Sequence, residues 1–304
     1  MSVDAVLIAG PTASGKSAAA LALAERLRGV VINTDSMQVY RELRILTARP
    51  SEQDEARVPH RLYGHVSARE RYSAGRYQDD AARALTEARE KNLLPIFVGG
   101  TGLYFEALTE GLSPIPTVPQ HVRSSVRQRF EAQGRDAFIA DLARRDPLTL
   151  AKLKPSDTQR LLRAADVLEA TGRPLSAWQE QSGKPVLAGL GLARFVTTPS
   201  RETLVARIDE RFDRMIENDA LKEAAAIRGL DPSLPAARAL GVRELWQHLG
   251  GELDLQTAAD RAKLATRQYA KRQLTWFRNR MGDWKWLQTE EISNLISLLS
   301  SELS

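Results

Sequence analysis

The chain contains no cysteine, which excludes disulfides and thiolate metal sites and fits a reducing compartment. No apolar run reaches the length of a membrane-spanning helix. The N-terminus passes at once into a strand-like segment, so neither a membrane anchor nor a signal peptide is expected. Aromatic residues make up only 6% of the chain, yet Tyr269, Trp276, Phe277, Trp284 and Trp286 gather near its end. Charge of neither sign dominates: 43 Lys and Arg stand against 38 Asp and Glu. An excess that small says little alone, and its distribution matters more. These absences describe a cytoplasmic protein, expected as a monomer, whose 304 residues suffice for one large core or two smaller ones.

Against that background one stretch carries chemistry. Gly10-Pro11-Thr12-Ala13-Ser14-Gly15-Lys16-Ser17 fits the spacing G-x-x-x-x-G-K-[ST]. The apolar run before it, residues 5–9, reads as a buried parallel strand, and the Ala- and Leu-rich residues 18–27 read as a helix. In that context the spacing predicts a phosphate loop. Backbone N–H groups and the positive end of the helix would surround a di- or triphosphate. Lys16 would reach the outer phosphate, and the Ser17 hydroxyl would ligate Mg²⁺.

Residues 29–33 read as a second parallel strand, followed by Asp35-Ser36-Met37-Gln38 at its carboxyl end, where ligands bind in open α/β sheets. Asp35 there can ligate Mg²⁺ through water, accept a proton from a nucleophile, or simply cap the turn. Residues 41–75 read as irregular, punctuated by Pro50, Pro59 and Gly64, with His60 structural. A helix is predicted over 73–92 with Ser73 as its cap, then a third strand over 93–98 ending in Gly99-Gly100-Thr101-Gly102. Nucleotide hydrolases often carry a metal-binding Asp at such a place. Glycines and the Thr101 hydroxyl stand here instead, which counts against an ATP-driven motor or switch.

Three prolines, Pro114, Pro116 and Pro119, mark a hinge, and residues 120–181 beyond it show only helical patterning. Most arginines of that segment, such as Arg127 and Arg129, are expected on solvated faces. Arg160 and Arg163, at i and i+3 beside Gln159, suit a polyanion better. Residues 192–198 read as a strand returning to the sheet. Helices are expected over 203–218, on to 228, and again after Arg238. Between residues 261 and 287 Arg261, Lys263, Arg267, Lys271, Arg272, Arg278, Arg280 and Lys285 face only Asp283, interleaved with the aromatics. Such a segment can neutralise phosphates and stack on bases; Trp276 and Phe277 are expected partly buried, with Lys271, Arg272 and Arg278 outward. A short amphipathic helix is expected from Glu290. The predicted fold class is α/β: a P-loop parallel sheet core flanked by helices, with an all-helical insertion. Its parts are residues 1–112, the insertion 113–190, and the completing segment 191–304.

A phosphate loop, an adjacent carboxylate and a basic, aromatic segment suggest displacement at a phosphorylated donor with a nucleic acid as acceptor. The same residues resemble the tRNA dimethylallyltransferases (tRNA isopentenyltransferases). The likeness rests on residues 10–17, Asp35-Ser36-Met37-Gln38-Val39-Tyr40, Tyr72-Ser73-Ala74-Gly75 and the run from Phe97 to Phe105. It continues in Asp157-Thr158-Gln159-Arg160 and the run from Ala270 to Arg278. The resemblance implies that Gly10, Pro11, Thr12, Ala13, Ser14, Gly15, Lys16 and Ser17 hold the pyrophosphate of dimethylallyl diphosphate rather than ATP. It implies Mg²⁺ on Ser17, Asp35 as general base with Lys16 and Thr101 in catalytic roles, and N6 of a tRNA adenosine as acceptor. That adenosine lies directly 3′ of the anticodon in tRNAs reading codons that start with U. Implied tRNA contacts are Asp35, Ser36, Met37 and Gln38 at the flipped base, with Thr101 and Arg123 nearby. Gln159, Arg160, Leu161, Leu162 and Arg163 would touch the anticodon arm. Arg238, Gly241, Arg243, Lys271, Arg272, Gln273, Trp276 and Arg278 complete the implied surface. Val242, Glu106 and Arg44-Ile45-Leu46 depart from the family's common residues. A small-molecule kinase or adenylate isopentenyltransferase on the same core would not need the arginine-bearing insertion or the basic C-terminal segment. A nucleic-acid-binding protein with a vestigial loop would not need Asp35.

Overall fold

The structure, a computed structural model, describes residues 3–288 and the isolated positions Ser293, Asn294, Ser297 and Ser301. The helix expected from Glu290 falls largely outside the described residues. The chain forms two compact units, Met1–Thr109 with Val186–Ser304, and Glu110–Pro185. The first unit begins β1 (Ala5–Ala9), α1 (Lys16–Leu27), β2 (Gly29–Asn33), α2 (Glu52–Arg57), β3 (His60–Arg61), α3 (Ala74–Glu90), β4 (Leu94–Gly99) and α4 (Gly102–Thr109). The second unit holds α5 (Gln120–Arg145), α6 (Pro147–Leu150), α7 (Thr158–Thr171) and α8 (Leu175–Gln179). The first then resumes with β5 (Leu192–Thr197), α9 (Arg201–Glu217), α10 (Ala220–Ala226), α11 (Val242–Leu249), α12 (Leu255–Arg280) and β6 (Lys285–Leu287).

The sheet has six strands in the order β3-β2-β4-β1-β5-β6, all pairs parallel. β1 is central, pairing Ile8 with Val98 on one side and Phe195 on the other. All five of its residues are buried, as expected of a parallel strand covered on both faces. α1 covers one face, where Ala20, Leu23 and Ala24 pack on Val6, Ile8, Val31 and Ile96. The carboxyl ends of β1, β2, β4 and β5 therefore lie side by side. That edge positions the site.

The second unit has a core of its own, built from Val126, Phe138, Leu142, Leu161, Ala164, Val167 and Leu168. Gly183 lies against Leu112 so closely that a Cβ would come 1.8 Å from the Leu112 carbonyl oxygen, so entry and exit of this unit run together.

Several local readings need correction. Residues 41–75 are not wholly irregular: α2 starts at a reciprocal capping box between Ser51 and Asp54, and β3 adds two residues to the sheet edge. Both are too short to show a period. The helical patterning beyond the prolines opens with one long element, α5, kinked at Gly134 with φ 77°. The helix expected to continue to residue 228 breaks at Asp219, whose φ of 69° ends α9. Trp286 belongs to β6, a strand the sequence does not announce, and Phe277 is fully rather than partly buried.

Candidate active site

The loop from Gly10 to Ser17 joins β1 to α1. Gly15 adopts φ 87° and Ala13 φ 64°, turning successive N–H groups to one side into an anion-binding concavity. Only glycine takes the first without strain. The loop is braced from β5: Ser14 Oγ and Thr197 Oγ1 lie 2.7 Å apart, and a Cβ on Gly10 would come 2.1 Å from the same Thr197 oxygen. Lys16 Nζ donates to Pro11 O at 3.0 Å.

Asp35 stands one residue beyond Thr34, past the end of β2. Its backbone N–H donates to Asn33 Oδ1 at 2.8 Å, and its Oδ1 accepts from Met37 N–H at 2.9 Å. Half of the carboxylate thus caps the turn, and Oδ2 is left for the cleft that Asp35 lines. The end of β4 closes against this turn. A Cβ on Gly99 would come 2.0 Å from Thr34 O. Thr101 N–H donates to Thr34 O at 3.2 Å, and Thr101 Oγ1 accepts from Ser36 N–H at 2.9 Å. Thr101 shapes the turn that carries Asp35.

A cleft of about 200 Å³ is lined by residues 12–18, Asp35, Gln38, Thr47, Ala48 and Arg211. Burial lowers the Lys16 pKa to about 8, a fall that Asp35 opposes and Arg211 reinforces. Burial likewise lowers Arg211, against the pull of Asp35. Two cations held partly desolvated beside one carboxylate favour a polyanionic guest, which relieves their repulsion.

A family model described as IPP transferase matches residues 38–280. The chain belongs to the IPP transferase family. A Nitrobacter hamburgensis protein named tRNA dimethylallyltransferase is 55% identical over 97% of this chain and 93% of that one. A Parvibaculum lavamentivorans protein of the same name is 54% identical over 96% and 93%. The crystal structure of the full-length tRNA isopentenylpyrophosphate transferase from Bacillus halodurans matches with a TM-score of 0.68 at 32% identity, covering 99% and 96%. A eukaryotic dimethylallyltransferase, described as acting on tRNA, matches with a TM-score of 0.77 at 27% identity, covering 94% and 74%.

In this member of the IPP transferase family, the elements after the insertion complete the cleft. Arg211 of α9 donates to Thr12 Oγ1 at 2.6 Å, and sequence reasoning missed it. A signal was present. Leu204, Ile208, Phe212 and Met215 form the buried stripe of α9, and Arg211 lies on its border, three residues after Ile208 and four before Met215, where a charge needs a reason. Glu223 of α10 was missed as well: it accepts from Ile45 N–H at 2.8 Å and Leu46 N–H at 2.7 Å. It thereby holds the segment whose next residues, Thr47 and Ala48, wall the cleft. Gln38 Nε2 bonds the carbonyls of those two residues at 2.9 Å each.

The remaining predicted residues are distributed as follows. Lys271, Arg272 and Arg278 are exposed on α12 and Trp276 is half-buried, packed so that a Cβ on Gly102 would come 2.2 Å from its ring. Gln273 is buried. Arg238 and Arg243 are exposed. Gly241 starts α11 with φ 85° against Phe212. In the insertion, Gln159 and Arg160 are exposed, Leu161 is core and Leu162 is half-buried. Arg163 is lowered by burial and then by the neighbouring charge of Arg123, whose Nε is buried without a partner. Arg129 and Arg145 instead share Glu169, at 2.8 and 2.6 Å. His60 bonds Val58 O through Nδ1 at 2.9 Å, a local structural contact.

Proposed function

We propose that the protein transfers the dimethylallyl group of dimethylallyl diphosphate to N6 of the adenosine directly 3′ of the anticodon, in tRNAs reading codons that start with U. The observation that carries this reading is one cleft that an anion-binding loop, two cations and the Asp35 carboxylate line together. The names of the close relatives support the donor group and the tRNA acceptor. In the reaction the C1–O bond to the diphosphate breaks, its electron pair leaving on oxygen, and a C1–N6 bond forms. Loop N–H groups, Lys16 and Arg211 bind the diphosphate and take up the charge that grows on it. N6 is a poor nucleophile, because its lone pair is delocalised into the ring, so attack requires loss of its proton. Asp35 Oδ2 is our candidate acceptor for that proton, while the bond from Met37 to Oδ1 keeps the carboxylate oriented. The adenine must leave the anticodon stack to reach the cleft. Exposed Lys271, Arg272 and Arg278, with Trp276, offer phosphate contacts and a stacking surface for that purpose.

The donor set fits Mg²⁺. Ser17 and Asp35, both hard oxygen donors, line the same cleft. Among the described residues no three His, Cys, Asp or Glu side chains gather as a closed metal cage. Such an ion would complete its shell with diphosphate oxygens and water. When bound, it neutralises charge on the departing diphosphate.

The test is incubation with labelled dimethylallyl diphosphate and unmodified tRNA, followed by nucleoside analysis. Labelled N6-prenyladenosine from tRNA is expected; label on free adenosine nucleotides alone would overturn the acceptor.

A further inference from the structure

Among the residues set apart for RNA contact, Gln273 differs from its neighbours. It is only 6% exposed, and both ends of its amide are engaged within the protein. Oε1 accepts from the N–H of Thr12, in the phosphate loop, at 3.0 Å. Nε2 donates to Gly100 O, beyond β4, at 2.8 Å. One partner is a donor only and the other an acceptor only, so the amide fits in one orientation. A Cβ on Gly100 would come 2.2 Å from Nε2, so the glycine exists to let the amide in.

Thr12 is therefore held twice, by Gln273 of α12 through its backbone and by Arg211 of α9 through its hydroxyl. The two helices are themselves tied by the bidentate pair of Arg267 with Asp209, at 3.0 and 2.6 Å, and by Lys263 with Asp213 at 2.5 Å. Ala270, one turn before Gln273, packs with Leu204 and Ile208 of α9, and Ala13 of the loop rests on that cluster.

We propose that Gln273 is a positioning residue for the donor site, setting the shape of the phosphate loop from inside the helix whose outer face carries Lys271, Arg272 and Arg278. An apolar side chain of the same volume would strand the part-buried Thr12 N–H and the buried Gly100 carbonyl, groups that need partners. The loop would then relax, and its inward N–H groups would lose their common focus. With Oε1 and one Nε2 hydrogen committed within the protein and the side chain only 6% exposed, the amide is poorly placed to read a base. The inference rests on the reading of the cleft as a diphosphate site.

The experiment uses the full chain and three measurements: affinity for inorganic pyrophosphate, affinity for an anticodon stem-loop RNA, and kcat and KM for transfer. In Gln273→Met, pyrophosphate binding is expected to weaken about tenfold, with KM for the allylic diphosphate rising in parallel, as one buried and one part-buried bond are lost. RNA affinity should stay within about twofold, since no exposed cation changes. Ala262→Gly, three turns earlier on α12, loosens the same helix without touching Thr12 or Gly100 and should leave pyrophosphate affinity unchanged. Should Gln273→Met not fold, Gly100→Ala pushes the amide from the opposite side and is expected to weaken pyrophosphate in the same way. Unchanged pyrophosphate affinity with reduced RNA affinity in Gln273→Met would make it an RNA contact and overturn the proposal. Equal losses in Ala262→Gly and Gln273→Met would reduce it to helix stability and overturn it too. Wild-type protein that binds no pyrophosphate would overturn the diphosphate reading itself, and this inference with it.

Discussion

Asp35 Oδ1 accepts from the Met37 N–H, and the role proposed for Oδ2 is testable apart from that bond. Asparagine keeps an oxygen for the Met37 N–H but cannot take a proton. Asp35→Asn is therefore expected to lower kcat by about 10²–10⁴ while RNA affinity and melting temperature hold. A parallel loss of RNA binding would assign the residue to the turn alone. The role proposed for Lys16 predicts a pH dependence. Burial lowers its pKa to about 8, so the charged form prevails below that pH and is lost above it. The value of kcat/KM for the diphosphate donor, which reports the free enzyme, should fall with an apparent pKa near 8 as pH rises. A flat profile from pH 7 to 9.5 would remove Lys16 charge from donor binding. That Lys16, Ser17 and Asp35 would share a cleft was legible in the sequence, because spacing and position at a strand end place them there. Arg211 and Glu223 were not, because their partners are loops nearly the length of the first unit away in sequence.

At the scale of the element, caps and patterns carried most of the reading. Ser73 was expected as an N-cap, and its hydroxyl accepts from Arg76 N–H at 3.2 Å. Ser73→Ala should cost about 1 kcal/mol, read as a lower melting temperature with unaltered KM. α7 runs from Thr158 to Thr171 and closes at Gly172 with φ 66°, as the Thr-Gly pair suggests. Short elements escaped because α2, β3 and β6 offer no full period, and each persists through tertiary contacts. β6 exists because Thr197 and Phe195 of β5 supply its hydrogen-bonding register. α12 shows the limit most clearly: its basic and aromatic residues are visible in the sequence, but which of them turn inward is not. Phe277, Ala270 and Gln273 are buried, while Lys271, Arg272 and Arg278 are exposed.

At the scale of the whole molecule, two units with separate cores imply separable defects. Phe138 belongs to the core of the insertion. Phe138→Ala should destabilise that unit by about 3–5 kcal/mol and weaken RNA binding, while pyrophosphate affinity of the first unit stays unchanged. A matching loss of pyrophosphate affinity would mean that the units unfold as one. The RNA reading also predicts that the logarithm of the association constant falls linearly with the logarithm of salt concentration. Affinity indifferent to salt would leave the exposed cations of α12 without a role.

The sequence by itself determined which groups local in the chain meet at the cleft. A phosphate loop needs its glycines, lysine and serine at fixed spacing, and a carboxylate after a buried strand reaches the same edge in any parallel sheet. Its alternation of apolar strands and helical stretches was enough for the α/β class. Only the tertiary structure decided what surrounds that loop, because long-range packing leaves little trace in spacing. The order of strands brings Thr197 under Ser14, α9 brings Arg211 to Thr12, and α12 brings Gln273 between Thr12 and Gly100. Each of these contacts joins residues more than 150 positions apart, where one buried polar group needs a partner and the fold alone supplies it.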